Sequence, residues 1–92
     1  MIVLFQTRLF QHRVKRLHPV QKQDLDEALL KLRADPTLGE EKKGDLLGVR
    51  VLKFHMGGQL TLLAYEWREN DAQLRLLVLG SHENFYRDLK RH

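Results

Sequence analysis

The 92-residue chain contains no cysteine, only two prolines and no long apolar run. The lack of cysteine excludes disulfide bonds and thiolate metal sites. No apolar run approaches the roughly 20 residues that a transmembrane helix needs. The apolar start, Met1 to Phe5, is too short for a signal-peptide core, and no basic region precedes it. We therefore expect one soluble, cytoplasmic domain over residues 1–92, with no membrane partner.

Positive charge exceeds negative charge, and the two are unevenly distributed. The net charge is +4, which favours an anionic partner, although ordinary solubilising charge gives the same excess. The segment from Met1 to His18 contains no acid and four basic residues, which are Arg8, Arg13, Lys15 and Arg16. The acids concentrate instead between Asp24 and Asp45. This separation predicts a basic surface distinct from an acidic one.

The first third of the chain has the pattern of a strand followed by a helical hairpin. Ile2 to Phe5 predict a short strand, and Thr7 can cap the helix that follows. That helix has one apolar face, formed by Phe10, Val14 and Leu17. A second helix is predicted from about Pro19 to Ala34, since proline is tolerated in a first turn. Its buried stripe consists of Leu25, Ala28, Leu29 and Leu32.

The rest of the chain predicts a sheet and a final short helix. A loop rich in turn formers, residues 35–48, precedes three segments that alternate with period 2, at 49–56, 60–67 and 72–79. Gly57-Gly58 suits a two-residue hairpin turn. Ser81 can cap a helix that docks through Phe85 and Leu89. The predicted fold class is α+β: an N-terminal strand and helical hairpin packed on a twisted antiparallel sheet of about four strands, with a short C-terminal helix.

Two groups of polar residues are candidates for chemistry. In the segment 49–56, Lys53 and His55 alternate with Leu52 and Phe54, so they point to the open face if the apolar pair covers the core. They are equally typical of a solvent-facing strand. Arg50 shares the face of Leu52 but lies at the start of the strand, where its side chain can reach the rim of the open face.

The second group follows the last strand. Ser81, His82 and Asn84 lie at a helix N-terminus, which favours anions, and Tyr86 shares the helical face of His82. Metal ligands could in principle come from His55, His82, Glu66 and Glu83, but no HExxH or similar spacing is present. We therefore predict a polar cluster without a metal or other cofactor.

Two longer stretches carry a family resemblance. Residues 35–54, DPTLGEEKKGDLLGVRVLKF, resemble the passage from loop to strand in the RelE/ParE toxins of type II toxin–antitoxin modules. Residues 79–91, LGSHENFYRDLKR, resemble the end of a ParE-like branch of that superfamily, and HENFYRDLK is the more specific part. The order of elements is similar too, so the resemblance spans essentially the whole chain.

The resemblance implies one of two activities. RelE-like members are ribosome-dependent endoribonucleases that cut mRNA, whereas ParE-like members inhibit DNA gyrase, and fold does not decide between them. Lys53 and His55 match two alternating basic positions of the ribonucleases, and His82 and Tyr86 match a later basic residue and a C-terminal tyrosine. An arginine common in the ribonucleases after the Gly-Gly turn is missing, since residues 59–63 read QLTLL, unless Arg50 or Arg87 replaces it.

The implied function is therefore a toxin that cleaves mRNA on the ribosome without a metal, with gyrase inhibition as the alternative. The catalytic residues would be Lys53, His55, His82 and Tyr86. The residues that bind RNA or phosphate would be Arg13, Arg16, Arg50, Asn84 and Arg87. The implied partners are a cognate antitoxin, the ribosome and mRNA, or else gyrase. A plain RNA-binding module fits less well, because the sheet lacks interleaved exposed aromatic residues.

Overall fold

The computed structural model describes the backbone of residues 1–91 and their side chains, apart from those at positions 83, 84 and 91. The elements in chain order are β1 (Val3–Gln6), α1 (Arg8–Lys15), α2 (Pro19–Ala34), β2 (Glu40–Glu41), β3 (Arg50–Met56), β4 (Gln59–Arg68), β5 (Gln73–Gly80) and α3 (His82–Arg91). A single 3₁₀ turn, Gly44–Leu46, lies between β2 and β3. The predicted α+β architecture is confirmed, with the strand and helical hairpin first and a short helix last.

The helical hairpin forms as the sequence predicts. The hydroxyl of Thr7 accepts a hydrogen bond from the Phe10 amide at 3.1 Å and donates one to the Leu77 carbonyl at 2.6 Å, which ties the start of α1 to β5. Pro19 occupies the first turn of α2, and the His18 amide donates to Gln21 Oε1 at 2.8 Å. Within the described part of the chain, no helix is long and apolar enough to span a membrane.

The sheet has one more strand than expected. Its order is β1-β5-β4-β3-β2, and β1 runs parallel to β5 whereas the other neighbours are antiparallel. The added strand, β2, lies inside the segment predicted to be a loop and pairs with Arg50 and Val51. Gly57 and Gly58 both have positive φ, at 60° and 82°, as a tight two-residue hairpin turn requires.

Both faces of the sheet are covered, but to different extents. One face packs against the hairpin through Phe10, Leu25 and Leu32, all of them buried. The other face packs against α3 through Phe85 and Leu89, which are fully buried on β4 and β5. We call this second side the α3 face. On this side α3 rests on β4 and β5 and covers Val51 at the start of β3, so the α3 face is open over β2 and over the exposed residues Lys53 and His55.

Candidate functional site

Lys53 and His55 lie on the open part of the α3 face. Val51 packs into the cluster under α3, and side chains alternate along a strand, so residues 53 and 55 point to the same side. Both are exposed. Lys53 is aligned with Leu62 on β4, and Leu62 with Gly80 on β5. Two strand spacings, about 10 Å, therefore separate Lys53 from the strand end that leads into His82.

His82 and Tyr86 border this open surface from α3. The His82 and Tyr86 rings meet edge to face with centroids 6.3 Å apart. Tyr86 is in turn held edge to face against the buried Phe85 ring, with centroids 5.1 Å apart. This packing fixes the phenol and leaves the imidazole exposed. The fold thus brings Lys53, His55, His82 and Tyr86, which are distant in sequence, to one side of the sheet.

Two further residues of this surface were not predicted from the sequence. Lys42 Nζ lies 3.1 Å from Glu40 Oε1 and 5.9 Å from the centroid of the Tyr86 ring. The hydrogen bond to Glu40 raises the pKa of Lys42, and the Tyr86 phenol adds a smaller effect in the same direction. The same hydrogen bond lowers the pKa of Glu40, and the charge of Lys53 lowers it further. Glu40 and Lys42 therefore belong electrostatically to the same group of side chains.

We call these six residues the site cluster: Glu40, Lys42, Lys53, His55, His82 and Tyr86. The cluster contains two ammonium groups, one carboxylate, two imidazoles and one phenol. Such a set can bind a phosphodiester by charge, stack on a base and transfer protons. It has the groups that hydrolysis or transesterification at phosphorus requires.

Arg50 lies on the opposite face of β3 and is already occupied by the protein. Its guanidinium donates to the carbonyls of Gly39 at 2.9 Å and Thr37 at 3.3 Å, and approaches Glu41 Oε2 at 3.4 Å. These contacts hold the segment that leads into β2. We therefore leave Arg50 out of the site cluster and assign it a structural role.

The other predicted phosphate-binding residues have different surroundings. Arg87 is mostly exposed on the outer side of α3, with Nε 3.8 Å from Asp88 Oδ1. Arg13 on α1 and Arg16 just after it are exposed and line a cavity of about 160 Å³ beside the end of β5, together with Ser81. The side chain of Asn84 lies outside the described residues, so the prediction for it has no structural counterpart.

Tyr65 anchors the segment before β2, and through it the position of Glu40 and Lys42. Its buried hydroxyl donates to the Pro36 carbonyl and accepts from the Gly39 amide, both at 2.8 Å. Burial is the main cause that raises the pKa of Tyr65. A Cβ added at Gly39 would lie 2.8 Å from the Tyr65 ring, so only glycine fits this contact.

Replacing Tyr65 by phenylalanine should destabilise the protein by about 1–3 kcal/mol, because the Gly39 amide and Pro36 carbonyl then lose their partner. Urea unfolding measures this, with Tyr86→Phe as the control that removes a less buried phenol. Since the pKa of Tyr65 is raised in the folded state, unfolded chains ionise first above about pH 10, and the wild type loses stability there. Tyr65→Phe should not show the part of this alkaline loss of stability that ionisation of Tyr65 causes. An unfolding free energy within 0.5 kcal/mol of the wild type, a margin typical of neutral surface changes, would contradict the anchor.

Solved structures with the same fold include bacterial toxins. The chain matches a chain of the intact Escherichia coli RelBE toxin–antitoxin complex with a TM-score of 0.73 and 13% identity, over 90% of this chain and 99% of that one. It matches a double mutant of E. coli toxin RelE in the free state with a TM-score of 0.77 and 13% identity, over 98% and 95%. The chain matches the conserved hypothetical protein HP0892 from Helicobacter pylori with a TM-score of 0.54 and 19% identity, over 89% of this chain and 96% of that one. At these identities the likeness concerns the fold.

The family assignment comes from the sequence itself. A search of curated proteins finds no match. The sequence model of the ParE-like toxin of type II bacterial toxin–antitoxin systems, in contrast, matches residues 4–90, nearly the whole chain. The chain therefore belongs to the ParE-like toxins of type II bacterial toxin–antitoxin systems.

Proposed function

We propose that residues 1–92 form one cytoplasmic toxin domain that cleaves mRNA on the ribosome without a metal ion and so inhibits translation. One observation carries the proposal: Lys53, His55, His82 and Tyr86 border the same open half of the α3 face. A protein that only blocked a partner enzyme would have no need to gather proton donors, proton acceptors and cations on one side of its sheet.

The proposed reaction is an internal transesterification of RNA. One histidine, His55 or His82, removes the proton of a 2′-OH, and the 2′-oxygen attacks the adjacent phosphorus. The bond from phosphorus to the 5′-oxygen breaks, and the other histidine gives that oxygen a proton. The products are a 2′,3′-cyclic phosphate and a 5′-OH, so atoms and charge balance without a metal. Which histidine is the base stays open.

The remaining site residues stabilise the charge of the transition state and orient the RNA. The Lys53 ammonium stabilises the negative charge that accumulates on the phosphoryl oxygens in the transition state. Tyr86, held against Phe85 and flanked by His82, presents its ring to a base or orients the phosphate. Asn84 and Arg87, on the same helix, are proposed to contact phosphates of the RNA backbone other than the one that reacts.

The basic surface of α1 is the proposed docking site for ribosomal RNA. Within the described residues, none of its four cations, Arg8, Arg13, Lys15 and Arg16, forms an ion pair with a carboxylate. Their charges are therefore available to phosphates. The cavity lined by Arg13 and Arg16 also includes Ser81, the residue before His82, so the basic surface reaches the start of α3.

Removing Arg13 and Arg16 together should weaken ribosome binding by about tenfold or more near physiological salt, because each loses a phosphate contact. The slope of log affinity against log salt should fall by about 2, roughly 1 per contact. The control removes two cations of α2, with Lys22→Ala and Lys31→Ala. A salt slope equal to that of the wild type would show that these arginines do not contact phosphate.

The family description favours one alternative, inhibition of DNA gyrase by binding alone. The matching family model is named for ParE, and ParE-like members of the superfamily act on gyrase. Primer extension on mRNA from cells that make the protein, run beside a supercoiling assay, separates the two. We expect new mRNA ends and unaffected supercoiling. Intact mRNA with inhibited supercoiling would replace the ribonuclease proposal by the gyrase one.

A cognate antitoxin is the other proposed partner. The E. coli structure with the same fold is that of a toxin–antitoxin complex. The net charge of this chain, +4, and the exposed basic residues of α1 would attract an acidic amphipathic segment that orders on binding. Such a segment would neutralise the toxin by covering the site cluster.

A further inference from the structure

The site cluster has fewer obvious phosphate-binding cations than the proposed reaction needs. The strand after the Gly-Gly turn, where related ribonucleases have an arginine, contributes only apolar or hydroxyl side chains there, with Thr61 and Leu62 buried. Arg50 is turned to the opposite face and occupied by loop carbonyls. Arg87 lies on the outer side of α3. This leaves Lys53 as the one cation that the sequence predicted at the reacting phosphate.

Lys42 occupies the position where a second cation is needed. Its backbone amide donates to the Val49 carbonyl at 2.8 Å, which continues the pairing of β2 with β3 and fixes the residue beside the site. Its side chain is 23% exposed, whereas that of Glu40 is 74% exposed. Most of the Lys42 side chain is thus covered by its neighbours, while the carboxylate that it binds stands mostly in solvent.

The contacts of the Lys42 ammonium group are compatible with phosphate binding. Lys42 Nζ has three N–H donors, of which Glu40 Oε1 takes one at 3.1 Å. Nζ also lies over the Tyr86 ring, 5.9 Å from its centroid, so the ammonium group and the ring border the same space. Exposed ion pairs contribute little to stability, so a phosphate with two free oxygens can displace the carboxylate of Glu40.

We propose that Lys42 binds the RNA phosphate in the site cluster, and that Glu40 holds the Lys42 ammonium group in place until RNA displaces it. This inference rests on the proposed ribonuclease function and adds to it. Lys42, the residue after β2, supplies the positive charge that the sequence lacks after the Gly-Gly turn. Glu40 keeps the side chain ordered in the free protein and competes weakly with the substrate.

The first test is ribosome-dependent cleavage by purified variants. Lys42→Met, which keeps an unbranched side chain but removes the ammonium group, should lower kcat/KM by at least tenfold, while Lys42→Arg should stay within about threefold of the wild type. Lys43→Met is the matched control, because Lys43 is the exposed neighbour outside the cluster. Glu40→Gln should lower KM, since it removes the competing charge. A KM equal to or above that of the wild type would overturn the role given to Glu40.

The second test separates this inference from the proposed function. Binding of a 2′-O-methyl RNA oligonucleotide, which cannot be cleaved, is followed by fluorescence anisotropy at several salt concentrations. Loss of one phosphate contact should lower the salt slope of Lys42→Met by about 0.7, the value for single strands, and leave Lys43→Met unchanged. If the wild type binds but never cleaves and this difference is found, the ribonuclease proposal fails and the Lys42 site stands.

The remaining outcomes count against Lys42. If the wild type cleaves RNA and Lys42→Met matches Lys43→Met in both rate and salt slope, the inference is wrong and the ribonuclease proposal survives. If the wild type neither binds the oligonucleotide nor cleaves mRNA, both are wrong. Circular dichroism and urea unfolding of Lys42→Met exclude a folding defect as the cause of any loss.

Discussion

Replacing His82 by alanine should slow mRNA cleavage on the ribosome by about 10²–10⁴-fold, the usual contribution of a well-placed proton donor or acceptor. The imidazole lies at the start of α3, against the edge of the Tyr86 ring, and alanine there leaves neither a base nor an acid at that side of the phosphate. Lys53→Ala should lower the cleavage rate by at least tenfold, because it removes the stabilising charge but leaves both histidines in place. Single-turnover cleavage on programmed ribosomes measures both rates.

The control for this loss is another histidine of the same chain. His18→Ser places a small capping residue before α2, on the hairpin, outside the site cluster. It should keep the wild-type rate. All variants should keep the wild-type circular dichroism spectrum, because His82 and Lys53 are exposed. Full activity in both His82→Ala and Lys53→Ala would remove the catalytic assignment.

Replacing Phe85 by alanine should produce the largest loss of stability, about 3–5 kcal/mol, because the ring is fully buried between α3 and the sheet. A domain of this size has roughly 5–15 kcal/mol in total. Phe85 also supports the Tyr86 ring, so the variant should lose activity even where it remains folded. Urea unfolding gives the free energy, and cleavage below the transition gives the activity.

Arg87→Ala is the matched control for Phe85→Ala, because it changes the outer side of the same helix. Its weak ion pair with Asp88 is exposed, so the unfolding free energy should change by less than about 0.5 kcal/mol. A loss below 1 kcal/mol in Phe85→Ala would mean that α3 contributes little to the core. It would also mean that the position of His82 depends on other contacts.

Local sequence signals predicted most of the fold correctly. The bounds of α2 coincide with the predicted Pro19 to Ala34, because a proline in the first turn and Pro36 after the end delimit an amphipathic pattern. Thr7 caps α1 as predicted. The alternation in β3 correctly separated Lys53 and His55 from the apolar face, because side-chain direction in a strand depends only on parity.

Other features could not be predicted, because they depend on contacts distant in sequence. A strand of two residues, such as Glu40–Glu41, is too short to show an alternating pattern, so the sequence does not predict that it brings the next residue, Lys42, beside β3. Whether Arg50 faced RNA or protein depended on where the carbonyls of Thr37 and Gly39 lie. The parallel pairing of β1 with β5 joins residues about 70 positions apart, and no local signal specifies it.

The location of the site follows from an asymmetry of the fold. The helical hairpin covers one face of the sheet, whereas α3 covers β4, β5 and the start of β3 at Val51 on the other. The polar residues of β3 and β2 and the first turn of α3 therefore face the same open surface. A fold does not determine an activity, so the residues on this surface, rather than the likeness to RelE, carry the functional argument.

The most direct test of that argument is the chemistry of the RNA ends. Purified protein is added to ribosomes carrying a defined mRNA, and the fragments are analysed by mass spectrometry. Attack by the 2′-OH predicts a 2′,3′-cyclic phosphate on one fragment and a 5′-OH on the other, and no cleavage when the nucleotide before the break carries a 2′-O-methyl group. Fragments ending in 3′-OH and 5′-phosphate, or cleavage of the 2′-O-methyl RNA, would contradict the mechanism assigned to this site.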